Sequence, residues 1–167
     1  MTRAIEPTIP PSAWIAETAT VRGNVTLGEE VSVWFSAVIR GDEGPVTVGD
    51  RSNVQDGAIL HVSRGFPCIV GSDVTIGHAA IVHGCTVEDG ALIAMHATVL
   101  DGAHIGAGAM VGAGAVVPPG MQVPPGTLAL GVPAKIVGPL DEAKRAYLKL
   151  AAANYVARKE EYRNGKY

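Results

Sequence analysis

His61, His78 and His83 fall within one stretch, HVSRGFPCIVGSDVTIGHAAIVH, and are three of the five histidines in the chain. A neutral imidazole is the commonest protein ligand for a transition metal. Three of them on one divalent ion leave it an open position where water can bind and be activated. Whether these three can meet depends on the elements that carry them.

Those elements follow a six-residue period. Aliphatic residues recur at Ile15, Val21, Leu27, Val33 and Ile39, then at Val48, Val54 and Leu60. They continue at Val70, Ile76 and Val82, and from Val87 through Ile93, Val99, Ile105, Val111 and Val117 to Val123. Small residues stand four places after many of them, as at Ala80, Ala91, Ala97, Ala103, Ala109 and Ala115. A period of six is neither helical nor that of a plain strand. It is the length of one side of a triangular β-solenoid, with three sides to a turn of about eighteen residues. The spacing predicts a mainly β fold: a parallel β-helix of about six turns over residues 1–138, followed over 139–167 by a C-terminal helix packed on it. That helix is expected from about Asp141 to Arg163. Tyr147, Leu150, Ala151, Tyr155 and Tyr162 lie along one side, charged residues lie on the other, and no clear N-cap precedes it.

The repeat breaks in three places. Nine residues separate Ile39 from Val48, ten separate Leu60 from Val70, and five separate Val82 from Val87. All three breaks surround the histidines, and an interrupted repeat marks a working face.

Counting register places the histidines. Val54, Ile76 and Ile93 start one side of successive turns, and Ile39, Leu60, Val82 and Val99 start the next. His61 and His83 each follow an anchor directly, so they point outward and stack one turn apart, about 4.8 Å by strand spacing. His78 projects from the other side and would meet them only from a neighbouring subunit in a cyclic trimer. Arg40 and Asp42 on one face and Asp56 beneath His78 on the other are the ingredients of an inter-subunit ion pair. Gln55 and Asn53 fall beside Asp56, within reach of a metal-bound water. His96, placed about one turn above His78, and His104 read as ordinary solvated histidines. Cys85 reads as a buried thiol rather than a fourth ligand, and Cys85 and Cys68 as two free thiols.

Composition narrows the function classes. The chain of 167 residues carries a formal net charge of −3 and has no basic run before its C-terminal segment, which disfavours a nucleic-acid partner or an acidic membrane surface. No long apolar run suits a membrane span, and the N-terminal MTRAIEPTIPPSAW has no apolar leader core. A cytoplasmic protein acting on small molecules is the expectation.

The segment VWFSAVIRGDEGPVTVGDRSNVQDGAILH, continued by IGHAAIVHGCTVEDGALI, resembles the γ-class carbonic anhydrase family of hexapeptide-repeat proteins, and the resemblance extends through GVPAK to AANY near the C-terminus. It implies a left-handed β-helix homotrimer that hydrates CO2 reversibly to bicarbonate. Zn2+, or alternatively Fe2+ or Co2+, would be held by His61 and His83 of one subunit and His78 of the next. It also implies that Arg40, Asp42 and Asp56 are interface ion-pair residues and that Gln55 and Asn53 form a polar wall. Glu43 would be a glutamate near the metal, and Tyr155 a helix tyrosine approaching the site. One departure stands out: the best-characterised members carry a proton-transferring glutamate in the loop after the first histidine, whereas residues 62–69 here include Arg64 and no acid. A CoA-dependent acyltransferase or thioesterase on the same scaffold, or a non-catalytic metal-binding member, are the competing expectations.

Overall fold

The computed structural model describes residues 5–167. Residues 1–4 of the expected solenoid segment lie outside the described residues. The fold is mainly β, a parallel β-solenoid of about six turns with one C-terminal helix. The counted register is the observed one. On side one Ile15, Val33, Val54, Ile76, Ile93, Val111 and Ala129 pair in sequence, each one turn above the last. Side two stacks Val21, Ile39, Leu60, Val82, Val99 and Val117. Side three stacks Leu27, Val48, Val70, Val87, Ile105 and Val123.

The anchors are buried because each turn covers the one before it. Only Ile15 and Val21, in the first turn, remain partly open. The small residues four places on, such as Ala58, Ala80, Ala97 and Ala115, are also buried, since a larger side chain at the closing corner would overfill the prism. Backbone hydrogen bonds run from turn to turn, so the prism has no free lateral edge.

The interruptions of the repeat are two outward loops and one shortened corner. The strand Val38–Val48 runs through sides two and three and departs from its partner Thr20–Leu27 between Gly23 and Val25, pushing residues 42–45 outward. Residues 63–67 form a second projection one turn above, between the buried Val62 and Cys68, pinned by a bridge between Ser63 and Phe66. The five-residue step cuts the corner at Gly84, where φ is 52°.

The strands Thr127–Leu130 and Lys135–Pro139 turn back antiparallel and lead into α1, Glu142–Arg163. Asp141, expected only to suit the first turn, is itself the N-cap: its carboxylate accepts the Lys144 N–H at 2.8 Å. The predicted inner face of α1 holds at Ala151, Tyr155 and Tyr162 and is corrected at Tyr147 and Leu150. Tyr147 and Leu150 are exposed, whereas Leu148, Ala151 and Ala152 are buried, with Leu148 and Ala151 packing with Leu92 and Leu140. Lys159, expected on the charged outer face, is completely buried, its Nζ donating to Glu30 at 2.5 Å and to the Ser12 carbonyl at 3.2 Å. A buried ammonium needs such partners. Together with Trp14 and Trp34 packed around Tyr162, they lay the helix along side one.

Candidate metal centre

His61 and His83 end the three-residue strands Ile59–His61 and Ile81–His83, which pair residue for residue. Their side chains project from side two, and His61 Nδ1 lies 2.9 Å from His83 Nε2. Each ring is held from behind by a carboxylate. Asp42 Oδ1 is 3.0 Å from His61 Nε2, and Asp101 Oδ1 is 2.6 Å from His83 Nδ1. A carboxylate accepts, so each takes the N–H of its ring. The two remaining nitrogens then face one another with lone pairs, an arrangement that requires a cation, whether proton or metal ion, between them. Arg40 pairs with Asp42, and the His61 hydrogen bond, assisted by Arg40, holds the Asp42 carboxyl below the usual range.

His78 stands on side one. Its Nδ1 lies 2.9 Å from Asp56 Oδ2, and its Nε2 is free except for the Tyr155 hydroxyl at 3.5 Å. The same reasoning leaves Nε2 as its lone-pair nitrogen. Among the described residues, no three His, Cys, Asp or Glu side chains of one chain are grouped so as to hold a metal ion. His61 and His83 are thus brought together and His78 is not. Within the chain Arg40 pairs with Asp42 and Asp56 with His78, and no Arg40–Asp56 ion pair forms among the described residues.

The expected site residues divide between the two faces. Glu43 is exposed on the projecting residues 42–45 of the His61 face. Gln55 and Tyr155 belong to the His78 face, where α1 and side one enclose a cavity of about 400 Å³. Gln55, His78, Asn154 and Tyr155 line its polar part and Leu92, Met95 and Met110 its apolar part. Asn53 is fully buried behind Gln55 and accepts the Gln55 side-chain N–H at 3.0 Å, so Asn53 orients Gln55 and does not itself reach the cavity. With one N–H of its amide given to Asn53, Gln55 has its Oε1 free to accept. Burial, and next the Asp56 charge, raise the Tyr155 pKa, so its hydroxyl stays a donor.

The placement of His96 is corrected. It lies one turn above Ala79, not His78, at a left-handed corner with φ 59°, and Met95 covers His78. His104 pairs with Glu88 on side three, away from both groups. Asp101 is the functional candidate missed in the sequence. Its signal was available in the register, two places after the anchor Val99 and one turn above Gly84, but that count does not reveal that its carboxylate bends to His83.

Comparison with known proteins places the chain among hexapeptide-repeat proteins. A family model described as bacterial transferase hexapeptide (six repeats) matches residues 84–119. A carbonic anhydrase of Geobacillus kaustophilus is 50% identical over 157 residues, covering 94% of this chain and 86% of that protein. The mitochondrial gamma carbonic anhydrase 2 of Arabidopsis thaliana is 37% identical over 156 residues, covering 90% of this chain and 56% of that protein. Among solved structures, a hexapeptide transferase family protein from Anaplasma phagocytophilum superposes with a TM-score of 0.92 at 35% identity, covering 95% of this chain and 93% of that one. With half of its residues shared across nearly the full length of a carbonic anhydrase, on a hexapeptide solenoid, the chain belongs to the gamma carbonic anhydrase family.

Proposed function

We propose that the protein catalyses the reversible hydration of CO2 to bicarbonate at a metal ion shared between subunits of a homotrimer. His61 and His83 of one subunit and His78 of the next would hold the ion. The observation that carries this reading is the 2.9 Å approach of His61 Nδ1 to His83 Nε2, with a carboxylate on the far side of each ring. A third histidine with the same carboxylate arrangement waits on a different face. Three neutral imidazoles suit Zn2+, and also Fe2+ or Co2+, so supply decides among them.

When bound, such an ion brings the pKa of a coordinated water to about 7, which makes hydroxide available at neutral pH. Gln55 Oε1 accepts the O–H of the attacking oxygen and aims its remaining lone pair at CO2. The apolar wall of Leu92, Met95 and Met110 suits a substrate without a dipole. Tyr155, held protonated, donates towards the developing bicarbonate. Glu43, exposed beside Asp42, carries the released proton to buffer.

A second reading, acyl-thioester transfer or hydrolysis, is favoured by one observation: a cavity of about 400 Å³ is far larger than CO2 needs and falls in the size range of organic ligands. Anaerobically purified protein reconstituted separately with Zn2+, Fe2+ and Co2+ separates the two by stopped-flow CO2 hydration run beside acyl-CoA turnover. Hydration with at least one metal is expected. Its absence with all three, together with acyl-CoA turnover, would replace the first reading with the second.

A further inference from the structure

We propose that Asp101 is the positioning residue of His83, and that Ser63, on the loop after the first histidine, holds Asp101 to that task. The inference rests on the metal-centre reading above and deepens it.

The contacts form a chain. Ser63 Oγ donates to Asp101 Oδ2 at 3.1 Å, and Asp101 Oδ1 accepts the His83 Nδ1–H at 2.6 Å. Both carboxylate oxygens are therefore committed, and the imidazole can neither rotate nor exchange its tautomer without losing a charge-assisted hydrogen bond. The consequence is that the Nδ1–H of a neutral His83 is turned to Asp101, which leaves Nε2, the nitrogen facing His61, as the ligand atom. A histidine whose opposite nitrogen is unheld spends part of its time with N–H where a ligand atom is needed.

The local backbone is shaped for this contact. Asp101 reaches His83 by crossing over Gly84, one turn below, and a Cβ at Gly84 would collide with the Asp101 carboxylate. Phe66 lies against the same flat surface, its ring 3.2 Å from where a Cβ of Gly102 would stand. The Ser63–Phe66 bridge, with Phe66 N–H donating to the Ser63 carbonyl at 3.0 Å, folds the loop down so that Ser63 faces Asp101. Residues 62–69 thus serve the centre by bracing a ligand, although Arg64 stands there and no acid does. Neither contact is explained by core packing, since Asp101 and His83 are both only part-buried.

The test is Co2+ binding by the intact chain, titrated against a chromophoric chelator and followed by the visible bands of the bound ion. Asp101→Ala is expected to weaken Co2+ about 10- to 100-fold and to alter the bands. Asp101→Asn, whose amide oxygen still accepts the His83 N–H, is expected to recover most of the affinity. Ser63→Ala, which leaves the solenoid backbone untouched, should cost about two- to tenfold. Oligomeric state and circular dichroism are expected to stay as in the parent, and a loss of affinity accompanied by unfolding in Asp101→Ala is set against the Ser63→Ala result. Wild-type affinity and wild-type bands in both alanine variants would overturn the role of Asp101. A parent chain that binds no Co2+ would instead overturn the metal centre itself.

Discussion

His61 Nδ1 and His83 Nε2 lie 2.9 Å apart across two adjacent turns, with Asp42 behind one ring and Asp101 behind the other. Two acceptor nitrogens this close repel unless a cation lies between them, so the pair is poised to bind one. His78, on another side of the prism, is the third nitrogen of the proposed centre, and this division has consequences for an assembled protein.

If the centre spans two subunits, two inactive variants should rescue each other. His61→Ala and His78→Ala alone are each expected to lose bound metal and CO2 hydration. Trimers reassembled from an equal mixture should regain about one quarter of the parent activity, because each mixed trimer contains one intact junction. Hydration measured before and after subunit exchange checks this. No recovery in demonstrably mixed trimers would mean that the three histidines do not meet across an interface.

Proton export separates Glu43 from Tyr155. Glu43→Gln is expected to lower the hydration rate on the order of 10²-fold in dilute buffer, with recovery on adding imidazole as an external proton acceptor. Tyr155→Phe should show no such rescue, since burial keeps the phenol protonated and makes it a poor acceptor. Buffer-dependence of kcat in both variants decides between them.

The two thiols should be silent in the native protein. Burial pushes the Cys68 thiol up to about 12 and raises Cys85 well above its ordinary value, and both side chains are buried. Because the thiolate is the reactive form, a colorimetric thiol reagent at neutral pH is expected to find none in the folded chain and two after denaturation.

Leu60 anchors side two within the strand that ends in His61, stacked between Ile39 and Val82, and it is fully buried. Leu60→Ala should destabilise the solenoid by about 2–5 kcal/mol in denaturant unfolding.

The start of α1 should loosen in acid. Lys144, through its ammonium and its backbone N–H, holds Asp141 below its ordinary carboxylate value of 3.8. A depressed pKa in the folded state means that the contribution is complete above 3.8 and fades as pH falls through the lower folded value. Amide exchange at Lys144 and Arg145 is expected to speed up over that window, and Asp141→Ala should show the faster exchange already at neutral pH.

Register was the legible part of this fold. Counting by six placed Leu60 under Val82 and therefore His61 beside His83, and it set His78 and Asp56 on a separate side. The miscount at His96 has a simple cause: Ala79, not His78, shares its corner position. The helix was less legible. Its apolar spacing allowed two faces, and Lys159, polar by type, turned out to be buried because Glu30 and the Ser12 carbonyl from the first two turns meet it there.

What the sequence determined by itself is the periodic part: six-residue sides, about six turns, the outward stacking of the paired histidines and the family to which the chain belongs. In a parallel solenoid each turn contacts only its neighbours, so position along the chain becomes position in space. The tertiary structure alone decided how side chains lean from one turn to another and where the non-repeating tail settles. The bend of Asp101 across Gly84 to His83, the commitment of Gln55 to Asn53 and the seating of α1 on side one all depend on reach and packing between segments that no period counts.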